Sequence, residues 1–219
     1  MALNEADSPW RKSLVTYLML TSLMLVLLVM YFYYYIGKIT DFLVLVAFLT
    51  PAMVANGSAV LARKVKLSVK GESASLTPID GGRTWKGKPI LGSNKTWEGL
   101  FFGSLLGVLA GEIIAVLAWF TLDWELAPML AVVTPYVSVA ALLGDLASSF
   151  WKRRRGLKPG EPFPICDQLD FYLFAVIALL LTGFRPPLMD IVLVGLFVYS
   201  LHIVTNCIAR ELGIKKECP

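Results

Sequence analysis

The amino-acid sequence predicts an all-α, polytopic integral membrane protein with five to six transmembrane helices in a single domain, 1–219. Hydrophobic residues make up 57% of the chain and charged residues 16%, against about 45–50% and about 25% in soluble domains. The mean hydropathy is +0.67. The charges are also unevenly distributed, since long apolar stretches alternate with two polar loops. Together these features indicate a membrane protein whose chemistry is confined to the loops.

Six apolar segments are close to the length that spans a bilayer, about 20 residues. They run over roughly 13–36, 39–62, 99–122, 126–149, 169–184 and 187–209. The fifth segment is short, and Pro51 and Asn56 predict a break in the second. Five crossings therefore stand as the alternative to six.

The distribution of cations predicts the orientation of these segments. When the six segments are threaded through a membrane, 18 of the 20 Lys and Arg residues fall on one side. Because cytoplasmic loops are enriched in Lys and Arg, we expect both termini and both long loops to face the cytoplasm in a multi-pass cell-membrane protein. Loop one runs over about 63–98 and loop two over about 150–168. A short hairpin is predicted within 63–77.

Three aspartates are predicted at the cytoplasmic boundary: Asp145, Asp167 and Asp170. Asp167 and Asp170 are three residues apart, so a helix places them on one face. Carboxylates at membrane depth are costly and usually functional, and a cluster of oxygen ligands suits Mg²⁺. The structural alternative is that Asp167 caps a helix and Asp170 pairs with nearby arginines.

Four consecutive cations at 152–155 follow the fourth apolar segment. Such runs often only enforce topology and attract anionic headgroups. Here the run is followed by Lys158 and a proline-rich turn at 159–164 that returns the chain to the aspartates. Phosphate-binding cations and metal-binding carboxylates are thereby predicted to meet, as transfer of a phosphoryl-type group requires.

Loop one interleaves glycines with polar and cationic residues over 80–96. Glycine lets backbone N–H groups approach anionic oxygens, although a Gly/Lys-rich loop can equally be a solvated turn. Asn94 and Glu98 lead into the third segment, whose amino-terminal dipole favours anions. That segment carries Gly99, Gly103 and Gly107 at G-x-x-x-G spacing, which predicts close helix packing.

Several of these motifs resemble a known enzyme family. The pattern S-x-x-K-R-x-x-x-x-K, followed by D-x-x-D, resembles the carboxy-terminal motif of CDP-diacylglycerol synthases; here it comprises Ser149, Lys152, Arg153, Lys158, Asp167 and Asp170. The segment GSNKTWEG at 92–99 resembles another element of that superfamily. PAMVANGS at 51–58 and DGGRTWKGKPILG at 80–92 are similar to the archaeal CDP-archaeol synthases. Where the bacterial pattern has His-Gly-Gly the chain reads Pro164-Ile165-Cys166, so no histidine role carries over.

The resemblance implies a Mg²⁺-dependent nucleotidyltransferase that joins CTP to a membrane lipid phosphate, an unsaturated di-ether carrying two geranylgeranyl chains. The residues expected to be catalytic are Asp145, Asp167, Asp170, Lys152 and Arg153, with the three aspartates as metal ligands. The residues expected to bind CTP or the lipid phosphate are Asn56, Asp80, Arg83, Lys88, Ser93, Asn94, Lys95, Thr96, Arg154 and Lys158.

Two other functions fit the sequence less well. A CTP-dependent lipid kinase would use a similar loop but would pass on the terminal phosphate. A small transporter or flippase would need polar residues along a path across the bilayer, whereas the charges here crowd one face. No nucleic-acid partner is expected, and the sequence sets no oligomeric state.

Overall fold

The computed structural model describes residues 39–70, 76–121, 125–159, 161, 163 and 166–211, and part of 20–34. Side chains at 39, 62–70, 121 and 206–211 lie outside this description, as do both chain termini and residues 160, 162 and 164 of the proline-rich turn. The chain divides into two compact units, 1–43 with 187–219, and 44–186. Every predicted site residue belongs to the second unit.

Helices dominate the described residues. A short apolar helix, α1, covers Leu23–Phe32. The longer helices are α2 (Ile39–Lys70), α3 (Trp97–Thr121), α4 (Leu126–Arg154), α5 (Cys166–Leu181) and α6 (Leu188–Glu211). Two strands of two residues each, β1 (Thr84–Trp85) and β2 (Lys88–Pro89), form an antiparallel pair in loop one. The predicted helical class is confirmed.

Four of these helices are long and apolar enough to cross a membrane: Thr40–Leu61, Trp97–Phe120, Leu126–Arg154 and Leu188–Thr205. At 16 residues, α5 is about 24 Å long at 1.5 Å per residue, shorter than the roughly 30 Å hydrocarbon core. The chain is therefore a multi-pass membrane protein, and α5 is short as its apolar run predicts.

Two local predictions for α2 are wrong. The helix is unbroken from Ile39 to Lys70 and includes Pro51, so the expected break near Pro51 and Asn56 is absent. Thr50 Oγ1 donates to the carbonyl oxygen of Val46 at 2.7 Å, within the turn that precedes the proline. The helix also continues through residues 63–70, where a hairpin was predicted; residues 71–75 lie outside the described part.

Helix α4 is the packing centre of the 44–186 unit, because it contacts both α3 and α5. Its buried residues recur at helical spacing, as in Leu130, Val133, Val137 and Ala141, which places one continuous stripe towards its neighbours. The buried residues of α5, including Phe171, Ala175 and Leu179, follow the same period. This packing brings the carboxyl end of α4 beside the start of α5.

The glycine stripe of α3 lets three helices approach one another closely. A Cβ at Gly107 would lie 2.7 Å from the carbonyl oxygen of Pro51 in α2 and 2.8 Å from Ser138 Oγ in α4. Gly103 faces Ala55 and Leu142 in the same way. The stripe therefore serves packing, as its spacing predicts.

In the other unit, a polar contact missed by the sequence analysis joins α1 to α6. Tyr31 Oη donates a hydrogen bond to Asp190 Oδ1, and the Asp190 side chain is fully buried. Both residues lie in apolar segments and far apart in the chain, so sequence spacing gives no signal for the pair.

Replacing Gly107 with alanine should destabilise the protein, because the new methyl group has no room against Pro51 and Ser138. Overpacking costs about 1–3 kcal/mol, which corresponds to a melting temperature lower by about 3–10 °C for a chain of this size. Thermal unfolding in detergent measures this. Gly57→Ala is the matched control, since a Cβ there meets nothing within 4 Å. Equal melting temperatures for the two variants would contradict the packing role.

Candidate active site

The backbone of loop one is organised around the carboxylate of Asp80. Its Oδ2 accepts hydrogen bonds from the N–H groups of Leu91 and Gly92, both at 2.9 Å, and Oδ1 accepts one from Gly82 at 3.0 Å. Burial alone would raise the pKa of Asp80, but hydrogen bonds from the N–H groups of Gly92, Leu91 and Gly82 outweigh it and lower the pKa below 3.8. Asp80 is therefore ionised at neutral pH and holds the two ends of the 80–92 turn together.

Between these ends the chain forms the β1–β2 hairpin. Lys86 and Gly87 at its tip have φ angles of 52° and 74°, as the two central residues of a type I′ turn require. Trp85 stacks on Phe150 of α4 with ring centroids 5.6 Å apart. The hairpin thus rests on the carboxyl end of α4.

Arg154 fastens this hairpin to α4. Its Nη1 donates to the carbonyl oxygen of Trp85 at 2.6 Å, and its Nη2 donates to the carbonyl oxygens of Lys88, at 3.2 Å, and Pro89. Its guanidinium also lies 5.2 Å from the centre of the Trp85 ring and 5.1 Å from that of Phe150. In return, Lys88 Nζ donates to the carbonyl oxygen of Arg154 at 3.1 Å.

Two ion pairs connect the loops to the helices. Lys95, at the end of loop one, places its Nζ 2.6 and 2.5 Å from the two carboxylate oxygens of Asp145 on α4. Lys152 on α4 places its Nζ 2.8 and 2.9 Å from the oxygens of Asp167 on α5. The N–H of Phe163 also donates to Asp167 at 3.0 Å. Both pairs are partly exposed and therefore accessible from the loop side.

Arg153 is buried beside these pairs. It is 3% exposed, and its Nε and Nη1 atoms have no hydrogen-bond acceptor among the described residues. A Cβ built on Gly92 would lie 3.9 Å from Arg153 Cδ and 3.3 Å from Pro159 Cγ. Because an unmatched buried guanidinium donor is costly, these two N–H groups indicate a place for an anionic ligand.

The chemistry of the three aspartates fits a hard divalent cation, since carboxylate oxygens are the ligands that Mg²⁺ prefers. Asp170 lies close enough to interact electrostatically with Asp145 and Asp167, and Gly144 allows the backbone of α4 to approach that of Asp170. Lysines pair with Asp145 and Asp167, however, and within the described ranges no three His, Cys, Asp or Glu side chains converge as a metal site. A cation would therefore replace lysine at these oxygens.

The remaining predicted residues fall into three groups. Thr96 is 4% exposed, and its Oγ1 accepts the Gly99 N–H at 3.2 Å, so it caps α3. Asn56 is half-buried in α2. Four residues have exposed side chains on the two loops: Arg83, Ser93, Asn94 and Lys158.

The surroundings of three residues in this region were missed by the sequence analysis. Glu98 accepts hydrogen bonds from the N–H and hydroxyl of Thr77 and ties the start of α3 to loop one. Gln168 is 2% exposed, and its Oε1 has no partner in the described part of the chain. Trp85 anchors the hairpin. Gly87 is typical of the second central position of a type I′ turn, whereas the surroundings of Glu98 and Gln168 depend on tertiary packing.

The arrangement as a whole can neutralise a polyanion. Lys95 comes from loop one, Lys152 and Arg153 come from the end of α4, and each lysine contacts a carboxylate. Such an arrangement suits two phosphate groups that must be brought together against their mutual repulsion.

A family model and individual relatives of this chain agree on one protein family. A family model described as "CarS-like: CDP-archaeol synthase" matches residues 38–218. The chain is 40% identical over 166 residues to the CDP-archaeol synthase of Hyperthermus butylicus, covering 75% of this chain and 89% of that one. It is 36% identical to that of Aeropyrum pernix over 180 residues, covering 82% and 93%.

A solved structure of an intramembrane enzyme for archaeal membrane lipid biosynthesis is also similar. Its TM-score is 0.63 at 35% sequence identity, and the match covers 74% of this chain and 92% of that chain.

Replacing Asp80 with asparagine should loosen the 80–92 turn, because the negative charge is lost and one acceptor oxygen is replaced by an NH2 group that cannot accept a backbone N–H. Hydrogen bonds to a charged acceptor contribute about 1.5–3 kcal/mol, so amide exchange at Leu91 and Gly92 should be at least about tenfold faster. Since folding lowers the pKa of Asp80, wild-type protection should be full above about pH 4 and fall as the pH drops through the lowered value.

Hydrogen–deuterium exchange, expressed as protection factors, measures both effects. Glu161→Gln is the control, because Glu161 accepts the Lys158 N–H in loop two and does not contact the turn. Unchanged protection in Asp80→Asn would show that this carboxylate does not organise loop one.

Proposed function

Since the chain belongs to the CDP-archaeol synthase family, and so transfers a cytidylyl group from CTP to a lipid phosphate in archaeal lipid synthesis, we propose that the transfer takes place where loop one meets the ends of α4 and α5. The observation that carries this assignment is Arg153, a buried guanidinium with two unmatched donors. The two lysine–aspartate pairs join the same three elements, with Lys95 of loop one bound to Asp145 of α4 and Lys152 of α4 bound to Asp167 of α5.

The reaction balances without a protein nucleophile. An oxygen of the lipid phosphate attacks the α-phosphorus of CTP and forms a new P–O bond. The bond from the α-phosphorus to the oxygen that bridges to the β-phosphorus breaks, and pyrophosphate leaves with that electron pair. Because the attacking phosphate is already anionic near neutral pH, no strong general base is required. The barrier lies in bringing two polyanions together, so charge neutralisation is the main contribution of the protein.

The cations of the site divide this task. Arg153 directs its two free N–H donors to a phosphate of CTP and holds that group in place. Lys95 and Lys152 exchange their aspartate partners for phosphate oxygens when the substrates bind. Ser93 and Asn94, exposed in the turn between Gly92 and Lys95, lie where they can contact the nucleotide. Arg83 and Lys158 supply additional positive charge at the loop surfaces.

The same partner exchange makes room for a divalent cation. Asp145, Asp167 and Asp170 would hold Mg²⁺, and their oxygen ligands fit that ion. When bound, the ion neutralises and orients the nucleotide phosphates for in-line transfer. The protein contributes by fixing the three carboxylates on α4 and α5, two helices that pack directly on each other.

The lipid substrate lies in the membrane beside the helices. Exposed apolar side chains on α3, including Phe101, Leu105 and Leu109, face the bilayer, where the geranylgeranyl chains of an unsaturated di-ether phosphate would lie. With both loops on the cytoplasmic side of the cell membrane, the lipid headgroup meets CTP at the inner surface. The 18-to-2 division of cations supports this orientation.

The products separate this function from the kinase alternative. Purified protein in liposomes with α-phosphate-labelled CTP and the lipid phosphate should yield labelled CDP-lipid and pyrophosphate in equal amounts, and excess chelator should abolish the reaction. A lipid kinase would instead release labelled CDP. In sealed inside-out vesicles, added CTP should support synthesis. Release of CDP, or full turnover in chelator, would contradict the proposed chemistry.

Replacing Arg153 with alanine should reduce kcat by two to three orders of magnitude, because loss of one preorganised donor costs about 2.7–4 kcal/mol. Arg153→Lys should restore only part of it, since lysine lacks the planar fork. The control is Arg155→Ala, which removes the same charge from a residue stacked on Trp151 and Phe163. Steady-state kinetics in detergent measures both. A comparable loss of kcat in Arg153→Ala and Arg155→Ala would show that Arg153 contributes only its positive charge and would contradict its role as a phosphate donor.

A further inference from the structure

Arg154 differs from its neighbour Arg153 in having both terminal nitrogens, Nη1 and Nη2, already hydrogen-bonded, so that only its buried Nε lacks an acceptor among the described residues. Its two terminal nitrogens donate to three backbone carbonyl groups, those of Trp85, Lys88 and Pro89. Its charged plane also contacts the rings of Trp85 and Phe150. Moving these terminal nitrogens onto a phosphate would release the hairpin.

The hairpin is directly connected to the residues that the proposed function places on CTP. The N–H of Ile90, which follows β2, donates to the carbonyl oxygen of Arg83 at 3.1 Å. Leu91 and Gly92 then donate to Asp80. Lys95 donates its N–H to the carbonyl oxygen of Gly92 at 3.2 Å. Fixing the hairpin on α4 therefore fixes where Gly92 lies against Arg153 and where Lys95 reaches Asp145.

We propose that Arg154 is a positioning residue, which docks the 84–89 hairpin onto the carboxyl end of α4 and so holds loop one in its nucleotide-binding arrangement before CTP arrives. This rests on the proposed CTP site. Without the clamp, loop one samples other arrangements, and CTP binding must select the competent one. The apparent affinity for CTP is then the intrinsic affinity multiplied by the fraction of molecules in the competent arrangement. The groups that act during the transfer are unchanged.

Arg154→Ala should therefore raise the KM for CTP roughly tenfold, as expected if the competent fraction falls to about one tenth, with kcat at saturating CTP within about threefold of wild type. Arg154→Lys should resemble Arg154→Ala, because one ammonium group cannot donate to the same three carbonyls as a planar fork. Trp85→Ala, which removes the stacking partner but no charge, should raise KM in the same direction.

Trypsin cleavage of the nucleotide-free protein distinguishes positioning from direct binding. Arg83 and Lys86 are exposed on the hairpin, and loss of the clamp should accelerate cleavage after them at least fivefold, with saturating CTP restoring protection. If Arg154 were instead a phosphate ligand, Arg154→Ala would raise KM while cleavage without nucleotide stayed at the wild-type rate. That result would overturn the proposal.

The matched control is Arg155→Ala, which removes an identical charge one residue along and should leave cleavage and KM within about twofold of wild type. Lys95→Ala tests the CTP site separately, because Lys95 is not part of the hairpin contacts. If Arg154→Ala accelerates cleavage while neither it nor Lys95→Ala changes the KM for CTP, the clamp exists but the CTP site lies elsewhere. The positioning role is then refuted together with the site.

Discussion

The candidate site depends on two lysine–aspartate pairs where loop one meets α4 and where α4 meets α5. Lys95 with Asp145 joins loop one to α4, and Lys152 with Asp167 joins α4 to α5. Each pair holds its two side chains in place without substrate. In the proposed mechanism a triphosphate gives the lysines a more highly charged partner and leaves the aspartates available to a cation. The pairs would then hold both sets of side chains in position before the substrates bind.

These pairs can form only because the helices approach closely. The glycine stripe of α3 brings α2 and α4 within backbone contact at Gly103 and Gly107, and Gly144 does the same for α4 and α5 beside Asp145. A short α5 then begins at the level where α4 ends, so Asp167 meets Lys152. Loop one packs on the carboxyl end of α4. Within it, the carboxylate of Asp80 holds the 80–92 turn together through three backbone hydrogen bonds.

The sequence predicts the fold class, the helix positions and the loops that carry the charged residues, because each follows from local hydrophobicity and charge. It predicts the carboxylates and lysines of the site as a set. It does not predict their pairing, which depends on how α4 and α5 pack. The break expected at Pro51 is absent, since α2 continues through it. Thr96 caps α3 and Arg154 donates to the hairpin, while the substrate contacts expected of both residues stay predictions. The Arg154 contact joins residues remote in sequence, so spacing gives no signal for it.

The four cations at 152–155 show why a charged run is hard to interpret from sequence alone. Successive residues of a helix point about 100° apart, so four consecutive cations at the end of α4 face four different surroundings. Lys152 faces Asp167, Arg153 is buried with unmatched donors, Arg154 holds the hairpin, and Arg155 stacks on aromatic rings. If the four cations served only to keep this end of α4 on one side of the membrane, their side chains would be solvated and interchangeable. Here each has a distinct environment, so their substitution by one another is not conservative. Arg153 has two buried nitrogens without an acceptor among the described residues, and Arg154 has one, its Nε.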